Sequence, residues 1–221
     1  MKGFRALAVL LLWTGVACRS EVPEPPPPAP AAAPAPPAAA GPRVAFLGDS
    51  LTAGLGLEAD QAFPARVAAR LAGRGRPIDL LNAGVSGDTT AGGLHRLDWL
   101  LRQHPAVIVV ELGANDAFRG LPLSEIEGNL RQIVTRSREA GAQVLLLGMK
   151  IPPNYGPDYA DGFAALYPRI ASDLKVPLVP FLLTGVGGEA RLNQADGIHP
   201  TAEGQEKVAD NVLPYLSPLL R

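Results

Sequence analysis

From Arg43 onward the sequence predicts a parallel α/β domain, and three observations predict it. Short apolar runs without alternation recur along the chain, amphipathic stretches lie between them, and polar turns rich in glycine follow the runs. Unalternating, β-branched runs suit strands covered by helices on both faces, which is the usual condition of a parallel sheet.

The candidate strands, in order, are Val44 to Leu47, Ile78 to Leu81, Val107 to Glu111, Val144 to Leu147 and Leu178 to Phe181. Between them, Phe63, Val67 and Leu71 make one apolar helical face. Ile126, Leu130 and Val134 make a second, and Tyr159, Phe163, Leu166 and Ile170 a third. Pro64 is harmless near the start of its helix, where an N–H has no intrahelical acceptor. Gly141, after the Ile126 set, suits a helix C-terminus. A last helix is predicted from Ala202 to about Leu213, and no internal repeat is present.

A chain of 221 residues, 47% of them hydrophobic, holds one domain of ordinary size plus an extension. A formal net charge of −1 gives no basic field, so nucleic acid is not expected as a partner. Cys18 is the single cysteine, which excludes an internal disulfide and a thiolate metal cluster. His95, His104 and His199 contain no i, i+4 pair and no His-x-His pattern, so no metal is predicted.

The extension is at the N-terminus. Lys2 and Arg5 precede the apolar run Ala6 to Trp13, and small residues then lead to Cys18, the order of a secretory signal. The run falls short of the roughly 20 residues that a membrane span needs. Thr14-Gly15-Val16-Ala17-Cys18 resembles a bacterial lipobox, with Gly15 where a bulky residue is usual. In that reading Cys18 becomes lipidated and anchors the chain in the cell envelope, and the alternative is a plain signal peptide. Residues 19–42 are dominated by Pro and Ala, a composition that cannot form a core and favours polyproline II at about 3.1 Å per residue. Such a linker acts as a tether. The expected division is therefore signal and lipobox over 1–18, disordered linker over 19–42 and one domain over 43–221.

In a parallel sheet, ligand sites form outside the carboxyl ends of the strands. After the first strand come Gly48-Asp49-Ser50-Leu51, where Ser50 would stand exposed beside the N–H groups of a following turn. Taken alone this is also an ordinary capping sequence. After the second strand come Asn82-Ala83-Gly84-Val85-Ser86-Gly87-Asp88-Thr89, where Gly87 can offer its N–H unhindered while Asp88 or Thr89 caps the next helix. After the third comes Asn115, a neutral amide that can donate to an oxyanion without burial of a positive charge, followed by Asp116, read as a loop-fixing acceptor. Glu111, at the end of a buried strand, is expected to be paired locally. Near the C-terminus, Asp196-Gly197-Ile198-His199 allows the carboxylate to accept from Nδ1 while Nε2 faces the site, an acid/base pair. His95 reads as a helix-surface residue, and His104 falls at the opposite end of the sheet.

Gly48-Asp49-Ser50-Leu51, Asn82 through Gly87, Gly113-Ala114-Asn115-Asp116 and Asp196 through His199, in this order, resemble the sequence blocks of the SGNH (GDSL-type) hydrolase superfamily. Gly87-Asp88-Thr89, Glu111-Leu112-Gly113, Arg119-Gly120 and Pro153-Asn154-Tyr155-Gly156 are similar to its bacterial thioesterase I/lysophospholipase and arylesterase subgroup, with Ala114 in place of a glycine common there. The resemblance covers the whole domain and implies a three-layer α/β/α sandwich with a five-stranded parallel sheet, the flavodoxin-like SGNH hydrolase fold. It implies Ser50 as nucleophile, His199 as base and Asp196 as its orienting carboxylate. The oxyanion hole it implies comprises the N–H groups of Ser50 and Gly87 and the Asn115 side chain. The implied activity is hydrolysis of small acyl-ester or lipid substrates; no cofactor is expected, and a monomer is the default. The alternatives are a carbohydrate O-acetyl esterase of the envelope and a non-catalytic module that binds acyl chains or glycans.

Overall fold

The structure, a computed structural model, describes residues 41–220. The secretory signal, the lipobox at Cys18 and almost all of the proline-rich linker lie outside the described residues.

Five strands form one sheet: β1 (Arg43–Gly48), β2 (Asp79–Gly84), β3 (Val107–Glu111), β4 (Gln143–Leu147) and β5 (Leu178–Val179). Their order is β2-β1-β3-β4-β5 and all pairings are parallel. The apolar runs are strands because both faces are covered: Val44 to Leu47 and Val107 to Val110 are essentially inaccessible to solvent.

Seven helices connect or follow these strands: α1 (Ser50–Ala53), α2 (Phe63–Gly73), α3 (Thr90–Leu101), α4 (Ala114–Phe118), α5 (Leu123–Glu139), α6 (Pro157–Leu174) and α7 (Ala202–Leu216). The chain leaves β1 toward β2, then reverses direction and steps through β3, β4 and β5. Right-handed crossovers place α2 on one face and α3, α5 and α6 on the other. The packing agrees, since α2 meets α7, while α3 meets α5 and α5 meets α6. The result is the expected three-layer α/β/α sandwich. The reversal opens a crevice at the carboxyl ends of β1 and β3, which is where such sheets bind ligands.

The apolar faces read from spacing are the buried ones: Phe63, Val67, Leu71, Ile126, Leu130, Val134, Phe163 and Ile170 are all at 0% exposure. Tyr159 is only partly buried, and its hydroxyl donates to the Leu121 carbonyl at 2.6 Å.

Three element boundaries differ from expectation. β2 runs on through Asn82 to Gly84, because its backbone stays in register with β1 as far as Gly48. The polar composition of Asn82 reflects an edge strand and not a turn. β5 stops at Val179, because the register with β4 slips there: Gly148 N–H donates to the Val179 carbonyl, but the Gly148 carbonyl accepts from Leu182 and not from Phe181. α7 continues past Leu213 and through Pro214 to Leu216, whose side chain is fully buried.

Candidate active site

Ser50 opens α1 immediately after β1. Asp49 caps that short helix, its Oδ1 accepting the Leu51 N–H at 3.0 Å. The strand-to-helix turn leaves Ser50 9% exposed, with Oγ donating to His199 Nε2 at 2.8 Å.

His199 comes from the opposite end of the sequence, in a loop before α7. Asp196 Oδ1 accepts the N–H groups of both Ile198 and His199 at 3.0 Å, and Oδ2 accepts from His199 Nδ1 at 2.7 Å. The two backbone N–H bonds, led by that of His199, hold the Asp196 carboxyl down at about 2. An ionised carboxylate only accepts, so Nδ1 carries the imidazole proton and Nε2 is the acceptor of the Ser50 hydroxyl. Asp-x-x-His is thus a tight loop that folds around its own carboxylate, while Gln194 ties it to α1's exit by donating to the Leu55 carbonyl at 2.7 Å.

Asn115 lies in the first turn of α4, after β3. Its Nδ2 donates to Asp49 Oδ2 at 2.9 Å, which assigns the amide orientation and leaves the second N–H of that group for the cleft. Gly87 sits in the β2–α3 loop with φ of +80°, a left-handed conformation suited to glycine, and Arg119 Nη2 donates to its carbonyl at 2.9 Å. Ser50, Gly87, Asn115 and His199 all line one cavity, as the carboxyl-end rule predicts.

The supporting polar residues take the parts expected of them. Thr89 caps α3 by accepting the Gly92 N–H at 3.2 Å, and Asp116 accepts from the Thr90 N–H at 2.8 Å and the Thr90 hydroxyl at 2.5 Å. Glu111 is buried, and its Oε2 accepts the Asp49 N–H at 3.2 Å and the Thr52 hydroxyl at 2.8 Å. Burial first, and the neighbouring Asp49 charge second, push the Glu111 carboxyl well up. Of the two carboxyls, Glu111 is held the more strongly toward its neutral form; burial raises Asp49 as well, against the Leu51 N–H that it accepts. His95 is exposed on α3, and His104 is exposed before β3, at the far end of the sheet.

This assignment gives a pH prediction with a definite sign. A carboxyl whose folded pKa lies above its unfolded value near 4.5 contributes stability that is full below that value and is lost as pH rises toward the folded one. Glu111→Gln, which mimics the neutral acid, is expected to gain stability relative to the parent between pH 4 and 8 in chemical denaturation. Glu111→Ala instead leaves the Asp49 N–H and the Thr52 hydroxyl unpaired, at about 1–3 kcal/mol each. A Gln variant that loses ground as pH rises would overturn this reading of Glu111.

The cavity has a volume of about 440 Å³. Its walls come from the loops after β1, β2 and β4 near Leu51, Ser86 and Lys150, and from segments that the strand-end reading did not select. Phe181 and Leu183 follow β5, Phe118 ends α4 and Met149 follows β4. Phe181 was hidden because the fifth apolar run reads as strand through Pro180. Pro180 was the available signal, since proline favours the edges and ends of strands, and a strand end there puts Phe181 among the residues that the carboxyl-end rule selects.

A doubly wound parallel sheet, with a serine, a histidine and an aspartate hydrogen-bonded in series at its carboxyl edge, defines a hydrolase of the α/β class. The chain belongs to the GDSL-like lipase/acylhydrolase family, whose model matches residues 46–207. It is 46% identical over 183 residues to esterase TesA of Pseudomonas aeruginosa, covering 82% of this chain and 91% of that one. It is 40% identical over 184 residues to thioesterase 1/protease 1/lysophospholipase L1 of Escherichia coli strain K12, covering 83% and 87%. The crystal structure of TesA matches with a TM-score of 0.78 at 46% identity, over 80% of this chain and 99% of that one. The chain is accordingly a carboxylic ester hydrolase.

Proposed function

We propose that hydrolysis proceeds through an acyl-Ser50 intermediate. The observation that carries this reading is the series Ser50 Oγ to His199 Nε2 at 2.8 Å and His199 Nδ1 to Asp196 Oδ2 at 2.7 Å. As Ser50 Oγ attacks the acyl carbonyl, its proton passes to His199 Nε2. The carbonyl oxygen becomes an oxyanion, held by the N–H groups of Ser50 and Gly87 and the Asn115 amide. Collapse of this intermediate expels the alcohol or thiol, which leaves with the proton from His199. Water then gives a proton to His199 and attacks the acyl carbon, releasing the acid and restoring Ser50 Oγ–H.

The substrate class follows from the cavity wall. Leu55, Phe118, Met149, Ile151, Phe181 and Leu183 surround the Ser50 end with apolar surface, which suits an acyl chain of several methylenes better than a sugar. The relatives' names, esterase and thioesterase/lysophospholipase, point the same way. Each buried methylene contributes about 0.8 kcal/mol, so kcat/KM should rise roughly fourfold per added carbon until the cavity is full. Stopped-flow hydrolysis of p-nitrophenyl esters of increasing chain length tests both points. A pre-steady-state burst with rising kcat/KM is expected. Absence of acylation, or a preference for acetylated sugars over every acyl chain, overturns the reading, the latter in favour of a carbohydrate O-acetyl esterase. Asn115→Ala is expected to lower kcat by about 10²–10³ with KM little changed, because its N–H is needed mainly when charge develops.

Residues 1–18 support export, with lipidation of Cys18 and a proline-rich tether over 19–42 that spaces the domain from the membrane. Metabolic fatty-acid labelling that is lost in Cys18→Ser is the expected result, and no label at all would leave a plain exported enzyme.

A further inference from the structure

Arg96, on α3, bonds to three separate segments at the carboxyl edge of the sheet. Its Nη2 donates to the carbonyl of Gly48, the last residue of β1, at 3.0 Å. Its Nη1 donates to the carbonyl of Ala83, near the end of β2, at 2.7 Å. Its Nε donates to Asp88 Oδ2, in the β2–α3 loop, at 2.8 Å. Both side chains of the Arg96–Asp88 pair are largely buried, at 20% and 11% exposure.

The seat for this contact is built into α3. Gly92 stands in the first turn of α3, where its N–H meets the Thr89 cap. A Cβ there would meet Asp88 Oδ1 at 1.8 Å, so the glycine makes room for the carboxylate that Arg96 grips. Asp88 Oδ1 also accepts the Thr89 N–H at 3.0 Å, which ties the carboxylate to the backbone of the loop.

Ser50 lies two residues beyond Gly48, and Gly87 lies one residue before Asp88. The two N–H groups assigned to the oxyanion therefore belong to different segments, and an oxyanion hole loses rate when its donors shift by a fraction of an ångström to an ångström. We propose that Arg96 is a positioning residue of this site: its guanidinium sets the β2–α3 loop, and with it the Gly87 N–H, against the turn that carries Ser50. A planar five-donor fork can hold three acceptors in fixed directions at once, which a lysine ammonium on a flexible stem does not. This inference rests on the reading of Gly87 as an oxyanion donor.

The test uses the full chain carrying Arg96→Lys or, separately, Asp88→Asn, at a temperature where thermal unfolding shows each to be folded. Each is assayed with an oxoester and its matched thionoester. A thiocarbonyl sulfur is larger and a weaker acceptor than oxygen, so an aligned oxyanion hole favours the oxoester, and a misaligned one favours it less. For Arg96→Lys, kcat on the oxoester is expected to fall between about 10-fold and 10²-fold with KM within about twofold. The oxo-to-thiono rate ratio should fall in proportion. Asp88→Asn should show the same pattern at smaller amplitude, and it carries the test if the lysine variant does not fold. Unchanged kcat in the folded variants, or a loss of kcat with the ratio preserved, overturns the proposal. Asn115→Ala separates the two levels of inference, because it removes a donor directly: if it leaves the ratio unchanged, the oxyanion-hole reading itself fails.

Discussion

Ser50→Ala is expected to reduce acyl-ester turnover by roughly 10⁴- to 10⁶-fold, the scale on which loss of a triad serine acts in serine proteases. The hydroxyl is all that is lost, but it is the group that His199 Nε2 meets in the hydrogen-bond series. The fold should scarcely notice. Alanine is a good residue for the first turn of α1, the cap from Asp49 is untouched, and the Ser50–His199 bond spans a partly open cleft. Thermal unfolding within about 1 kcal/mol of the parent, together with lost turnover and lost labelling by an organophosphonate, is the expected set of results. Parental turnover of short acyl esters by this variant would end the assignment of Ser50 as nucleophile.

Asp196→Asn is expected to lower kcat by about 10⁴-fold, as the equivalent change does in trypsin, and for a geometric reason visible in this loop. The asparagine oxygen can still accept the N–H groups of Ile198 and His199 that Asp196 Oδ1 accepts now, so the loop keeps its shape. The amide NH₂, however, faces His199 Nδ1 where Oδ2 stood, and a donor there forces the imidazole proton onto Nε2. Nε2 can then no longer take the Ser50 proton.

The pH behaviour separates this from a simple loss of charge. Hydrogen bonds from the His199 and Ile198 N–H groups hold the Asp196 carboxyl down at about 2, below its ordinary value of 3.8, so the parent carboxylate is ionised throughout the neutral range. Its stabilising contribution is full above about 4 and is lost as pH falls toward 2, and solvent screening keeps it small at 45% side-chain exposure. The catalytic deficit of Asp196→Asn should therefore be constant from pH 5 to 9 in kcat profiles. A deficit that closes within that window would mean that Asp196 does not set the tautomer.

Reading position against chemistry worked where local pattern and site coincide. Polar stretches after three apolar runs and a fourth near the C-terminus identified Ser50, Gly87, Asn115 and the Asp196/His199 pair as candidates, and the structure sets Ser50, Gly87, Asn115 and His199 on one cavity, with Asp196 bonded to His199 Nδ1. The apolar faces of α2, α5 and α6 were legible for the same reason: helical periodicity is a local property, and burial follows from it. Less was legible where a residue's meaning depends on what a distant segment places beside it. Phe181 reads as strand until the register with β4 is seen to slip after Val179, and Asn82 reads as turn until β1 is found beside it.

The polar network shows this division most clearly. Neither the position of Arg96 in an amphipathic helix nor that of Glu111 at a strand end shows in the sequence what the charge will meet. Arg96 acquires its role because α3 crosses the reversal point of the sheet, where the carbonyls of Gly48 and Ala83 and the carboxylate of Asp88 come within reach of one guanidinium. Glu111 is held toward its neutral form because β3 lies beside β1 and sets it in a dry site next to Asp49. The sequence by itself determined the fold class, the order of the elements and the residue types available at the carboxyl edge of the sheet, since periodicity and strand-end position are local properties of the chain. Tertiary structure alone decided the approach of His199 Nε2 to Ser50, the orientation of the Asn115 amide and the placement of the Gly87 loop against Ser50. Each of these depends on hydrogen-bond directions between segments that the sheet order brings together.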